Sequence, residues 1–233
     1  MGFSIGTIRS IGMMKIFKFL TCVAFVATLV GCKSEIVETK VKTSDIKKSI
    51  SGEMVTVPFA AVLQVLGDDE NTRDEIRKYE EIIENYFDVE DFEISKSIMG
   101  LEIKVSGNLP VVSGNEVKSG SKEPWVLYVQ ETTNPTLKER FPYKLSLGTT
   151  DNFPSFKTQF TDLNMMLSPD PHQPLLMKIR NNDKSGLRVF TGSVEIQGIH
   201  HLIYESDVPS RISLQMKGGV YEHTDPSIFF NIQ

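Results

Sequence analysis

Apolar residues recur at every second position through much of this chain. A period of two commits those segments to strands with one buried and one wet face. Leu101, Ile103 and Val105 alternate with Glu102, Lys104 and Ser106, and Trp125, Leu127 and Val129 repeat the pattern. Leu145 and Leu147 give a shorter run, and Leu175, Met177 and Ile179 alternate with Lys178 and Arg180. Ile212, Leu214 and Met216 stand against Arg211, Ser213, Gln215 and Lys217. Leu187 and Val189 hold the odd positions, then Val194 and Ile196 the even ones. That change of parity across Gly192 predicts a β-bulge.

One segment carries the helical period instead. Between Asn71 and Phe87, Ile76, Tyr79, Ile83 and Tyr86 repeat at three and four, with Thr72 and Glu75 at capping-box spacing. Asp68, Asp69 and Glu70 sit at its positive end, where acid is favourable, and read as helix-end electrostatics rather than a cation site. Glu53 to Leu66 is apolar and β-branched, but Pro58 argues for an edge strand, a bulge, or a strand running into a short helix at Phe59–Leu63. Ser113 to Pro124 reads as a long loop, Asn181–Gly186 as a hairpin turn and Gly218-Gly219 as another turn. Ser168–Pro174 is a stiff connector. The expected class is α+β, mostly antiparallel β with one main helix at about 71–87. A boundary near 166–173 between two small subdomains is left open.

The N-terminus is read from charge and length. Lys15 and Lys18 precede an apolar run from Phe19 to Val30, which falls short of the roughly 20 residues that span a bilayer. A basic start, a short apolar core and small residues before a cut form a secretory signal. Leu29-Val30-Gly31-Cys32 gives it the look of a bacterial lipoprotein signal. That resemblance implies cleavage before Cys32, palmitate-type acylation of its sulfur and acylation of its amine. Two or more acyl chains anchor stably, so the membrane is an expected partner without a spanning helix. By similarity to enterobacterial sorting, Lys33 and Ser34 in place of an aspartate after the cysteine favour the outer membrane over the inner. The expected division is residues 1–31 as signal, 32–49 as acylated cysteine and flexible tether, with room for one helical turn around Asp45–Ile50, and 50–233 as a periplasmic body. Met1, Met13 and Met14 are all candidate starts.

The chain has 2 cysteines. Cys22 lies in the signal and Cys32 would carry lipid, which leaves no thiol for a disulfide, a zinc site or a nucleophile. The whole chain has net charge -5, from 25 basic and 30 acidic residues. Cleavage removes Arg9, Lys15 and Lys18 and no acid, so 22 basic side chains face 30 acidic ones, a net -8. Such a product does not bind nucleic acid or anionic lipid through a general positive field.

Motifs for chemistry are sparse. The 4 histidines are His172, His200, His201 and His223. His200 and His201 are neighbours on one expected strand and point to opposite faces, so no metal site is expected. Asn181, Asp183 and Ser185-Gly186 resemble half of a calcium loop, but Gly192 stands where the bidentate glutamate belongs. Ser44–Lys47 and Ser119–Lys122 fit a loose S-x-x-K without its companion motifs. Carboxylate pairs such as Glu80-Glu81 and Glu90-Asp91 sit in or beside the helix. No catalytic residue or cofactor is expected from these patterns.

With its signal through Gly31-Cys32-Lys33-Ser34, its length and its β-rich body, the chain resembles uncharacterised enterobacterial, prophage-associated lipoproteins of the YfjS/YafY type. The resemblance implies an envelope lipoprotein linked to envelope stress, with no catalytic residue to carry over. The leading expectation is a non-enzymatic periplasmic binding or interaction module with an envelope protein or glycan partner. Two alternatives are a cell-wall or lipid-directed hydrolase and a prophage superinfection-exclusion factor.

Overall fold

The computed structural model describes residues 37–98, 100–114, 121–171, 174–216 and 227–233. The signal, Leu29 through Ser34, His172, His223, Gly218-Gly219 and the Ser119-Gly120 end of the second S-x-x-K stretch lie outside those residues. The first elements are β1 (Val37–Lys42), α1 (Thr43–Ile50), β2 (Val55–Leu66), α2 (Glu70–Tyr86), β3 (Asp88–Ser97) and β4 (Gly100–Ser113). Next come β5 (Trp125–Glu131), α3 (Pro135–Lys138), β6 (Tyr143–Thr149) and α4 (Phe153–Leu163). The last are β7 (Leu175–Arg180), β8 (Leu187–Ile196), β9 (Ile199–Asp207), β10 (Arg211–Met216) and β11 (Ser227–Ile232).

Nine of these strands close into a barrel, in the order β10-β7-β1-β2-β4-β5-β6-β11-β8 and back to β10. β8 makes the closure. Its first half pairs with β11, and near its end Val194 and Glu195 pair with Met216 and Gln215 of β10. Between the two pairings Ser193 takes φ 47, and the buried side of β8 passes from Leu187, Val189 and Thr191 to Val194. The change of parity therefore marks the bend at which the barrel shuts. β9 continues outward from β8, and β3 outward from β4.

This architecture corrects the expected fold class. The body is a closed β-barrel carrying four helices among the described residues, not an α+β fold with one main helix. Alternation tells how a strand is buried but not which strand it pairs with, so closure left no trace in the period. The connector near 166–173 does not separate two sheets, since β7 beyond it runs parallel to β1 from Val37↔Leu175 to Lys42↔Arg180.

The segment expected as a tether is also folded from Val37 onward. Thr39 and Val41 of β1 enter the core at 0% and 1% exposure, and Thr43, Ile46 and Ser49 bury one face of α1. The segment's buried residues are spaced by two along β1 and by three along α1, but Thr39, Thr43 and Ser49 among them are polar.

Pro58 lies inside one continuous strand and begins no helix. Its carbonyl accepts from Thr39 Oγ1 at 3.3 Å, so its nitrogen also faces β1, whose ladder with β2 ends at Thr39↔Phe59. The missing N–H thus breaks no hydrogen bond. Asn181–Gly186 is not a hairpin turn, because β10 and not β8 pairs with β7. The tight turn lies at Gln197-Gly198, with φ 53 and φ 82, as a two-residue hairpin requires. Glu90 and Asp91 belong to β3, not to a helix surface.

Helix α2 buries Thr72, Ile76, Tyr79 and Ile83, and its cap is Asp69 rather than Thr72. The Asp69 carboxylate accepts from the Thr72 N–H at 2.8 Å and from the Thr72 hydroxyl at 2.9 Å. These donors hold its carboxyl below the usual range. Helix α4 carries a proline in its first turn and buries Phe153, Phe156 and Phe160. The two helices meet through Tyr79 and Phe160, whose rings lie 5.0 Å apart.

Candidate functional site

The outer wall of the barrel at β1, β7 and β10 collects positive charge through register alone. Thr39 and Val41, Leu175, Met177 and Ile179, and Leu214 and Met216 point inward. The residues between them therefore face out. Lys40 pairs with Lys178, and Lys178 with Ser213. One step along, Lys42 pairs with Arg180, and Arg180 with Arg211. Five cations thus occupy two adjoining rows on three neighbouring strands, about 4.8 Å apart across the sheet.

These side chains line a groove of about 1170 Å³. Its remaining lining includes Thr56 and Pro58 of β2, Tyr204 of β9, Ile196 and Gln197 at the end of β8, Val208–Ser210, and the carboxylates Asp45 and Asp207. The two rows differ in how their charge is met. Glu38 reaches Lys178 at 2.6 Å and Lys40 at 3.6 Å and so offsets part of the first row's charge. Lys42, Arg180 and Arg211 have no ion-pair partner among the described residues. Asp45 is close, but it accepts from the Lys42 backbone N–H at 3.1 Å. Asp207 approaches Arg188 at 3.9 Å instead.

A second space, of about 60 Å³, is almost wholly apolar, with the Trp125 indole as its one polar side chain. It lies among Phe59, Leu63, Phe87, Trp125, Phe156 and Phe160. Nothing in that lining would hold a water by the two to four polar contacts it needs.

Polar residues also gather where α1 meets the β7–β8 connection. The Thr43 hydroxyl donates to Asp183 Oδ1 at 2.7 Å, the Ser185 hydroxyl donates to the same oxygen, and Lys47 Nζ lies 3.1 Å from Asp183 Oδ2. Hydrogen bonds from Ser185 and then Thr43 hold the Asp183 carboxyl far below its usual range. Lys47 of the first S-x-x-K stretch also donates to Ser185, so it sits on a folded helix and not in a tether. The resemblance to a calcium loop resolves here into a clasp: Asp183 faces two hydroxyls and an ammonium.

His200 and His201 occupy β9 and take opposite faces. His200 Nε2 lies 3.4 Å from Ser193 Oγ, and the His201 ring packs edge-on against Tyr204 at 5.4 Å. These two histidines therefore do not converge on one site, while His172 and His223 lie outside the described residues. Among the described residues, no group of three or more His, Cys, Asp and Glu is placed to hold a metal.

The sequence marked neither space as a site, although it singled out Pro58 and Asn181 of the groove and Phe59, Leu63 and Trp125 of the apolar space on other grounds. Leu29, Val30, Gly31, Cys32, Lys33 and Ser34 lie outside the described residues. Lys178, Arg180 and Arg211 were legible as the wet side of their strands, and Lys40 and Lys42 as part of a charged stretch. Their adjacency was not legible, since it depends on a parallel β1–β7 pairing between residues 138 positions apart, as Lys40↔Lys178 are. No protein family matches the chain, and no curated protein or solved structure matches it. No helix among the described residues is long and apolar enough to cross a membrane.

Proposed function

We propose that this chain is a membrane-anchored envelope lipoprotein whose barrel is a non-enzymatic binding module, with the groove on β1, β7 and β10 as its recognition surface. The observation that carries the binding role is the groove itself. Its cations stand on paired strands, not on loops, so a ligand meets groups already held in place. The anchoring role rests on the order of basic residues, apolar run, Gly31 and Cys32. The same reading places Cys32 under acyl chains and, through Lys33 and Ser34, favours the outer membrane facing the periplasm.

Labelling with a palmitate analogue tests the anchor. The full chain should incorporate label and be cleaved, while Cys32→Ala should take no label and should accumulate uncleaved. Equal labelling of both would overturn the assignment. For the binding role, the detergent-solubilised full chain is used as bait on envelope extracts. A protein or glycan retained by the native chain and released by Lys42→Glu with Arg180→Glu supports the groove. Retention unchanged by the charge reversals would move recognition elsewhere.

A further inference from the structure

The second row of the groove is costly in a free protein. Lys42, Arg180 and Arg211 stand side by side in register on three strands, and like charges directly opposite one another destabilise a sheet. Asp45 and Asp207 line the same groove, but among the described residues no carboxylate forms an ion pair with any of the three. The row above shows what compensation looks like, since one carboxylate there binds two lysines.

From this we infer that the groove takes a phosphate-bearing ligand, with Lys42, Arg180 and Arg211 gripping the phosphate. The inference rests on the binding-module reading and specifies its ligand. Three adjacent cations call for more than one negative charge on a compact group. A carboxylate brings one charge and two oxygens. A terminal phosphate brings up to two charges and three acceptor oxygens, and a diphosphate brings more. Two of the three cations are arginines, whose planar forks bind phosphate through paired hydrogen bonds. The groove is far larger than a phosphate alone, at about 1170 Å³, and Pro58, Ile196 and Tyr204 add less polar lining. The phosphate therefore belongs to a larger body, either a soluble phosphorylated compound or a lipid headgroup.

Two probes separate those sources: inorganic pyrophosphate, and vesicles of phosphatidylglycerol compared with vesicles of phosphatidylcholine. Each is titrated against the full chain in its solubilised form and against Arg180→Gln with Arg211→Gln. Saturable binding of pyrophosphate, weakened at least about tenfold in the double variant and by added salt, supports a soluble phosphate ligand. Selective retention on phosphatidylglycerol vesicles, lost in the double variant, supports a headgroup. Binding of neither probe, or equal binding by both proteins, overturns the inference. A second reading needs no ligand: Arg211→Gln should raise the melting temperature of the ligand-free protein by relieving the repulsion. A fall in melting temperature contradicts it. An envelope partner still captured by the glutamine double variant retires the phosphate while leaving the binding module intact.

Discussion

Thr43 and Asp183, 140 residues apart, are joined by a 2.7 Å hydrogen bond from hydroxyl to carboxylate. That contact ties the start of α1 to the connection between β7 and β8. Asn182 reinforces it by donating its N–H to the same hydroxyl at 3.2 Å.

Acid should loosen this clasp. The folded Asp183 carboxyl titrates below its ordinary 3.8, because Ser185, Thr43 and Lys47 favour the charged form more than burial opposes it. A depressed folded value means that the stabilisation is complete above the unfolded value near 4 and disappears as pH falls below it. Asp183→Asn should lower the melting temperature at pH 7 and flatten its decline below about pH 4. Parallel melting curves for the two proteins from pH 7 to pH 3 would show that the carboxylate contributes nothing.

Removing a hydroxyl should help the core. Tyr79 is 1% exposed, and its hydroxyl has no hydrogen-bond partner among the described residues. Burial pushes its pKa upward, as expected for a phenol in apolar surroundings. Tyr79→Phe should be neutral or stabilising by about 1–2 kcal/mol in urea unfolding. A loss of stability would reveal a partner for that oxygen.

A larger penalty is expected at Gly107. A Cβ there would lie 2.1 Å from the carbonyl oxygen of Asp88, between strands β3 and β4. Because the obstacle is backbone, Gly107→Ala should destabilise by about 1–3 kcal/mol or more and shift β3. Unchanged stability would mean that β3 is free to move away.

Phe156 should be the most sensitive aromatic position. It is 3% exposed and touches Tyr86, Phe87, Trp125 and Phe160, with ring centroids 4.6 to 5.6 Å apart. Phe156→Ala should cost about 3–5 kcal/mol, and Phe156→Leu much less. Equal effects of the two would mean that ring packing is not what holds α4 down.

How much of this was legible from sequence depended on the range of the interaction. Helix α2 announced itself through Ile76, Tyr79 and Ile83, which share a face because of local geometry. Strands β4, β7 and β10 did so through their alternation. Helix α4 went unread although Phe153, Phe156 and Phe160 carry helical spacing behind Pro154, a residue suited to a first turn. Strand β1 went unread because only Val37, Thr39 and Val41 mark it amid charge. The groove depends on pairings between distant strands, and nothing local to Lys42, Arg180 or Arg211 records them.

The position of β1 has a mechanical consequence. It lies between β2 and β7, so a pull on the chain ahead of Val37 enters a strand held on both sides. Such a load must shear two ladders together before any part of the barrel peels away. Forced extension from that end should therefore give one high, all-or-none rupture, as the proposed anchor at Cys32 would require.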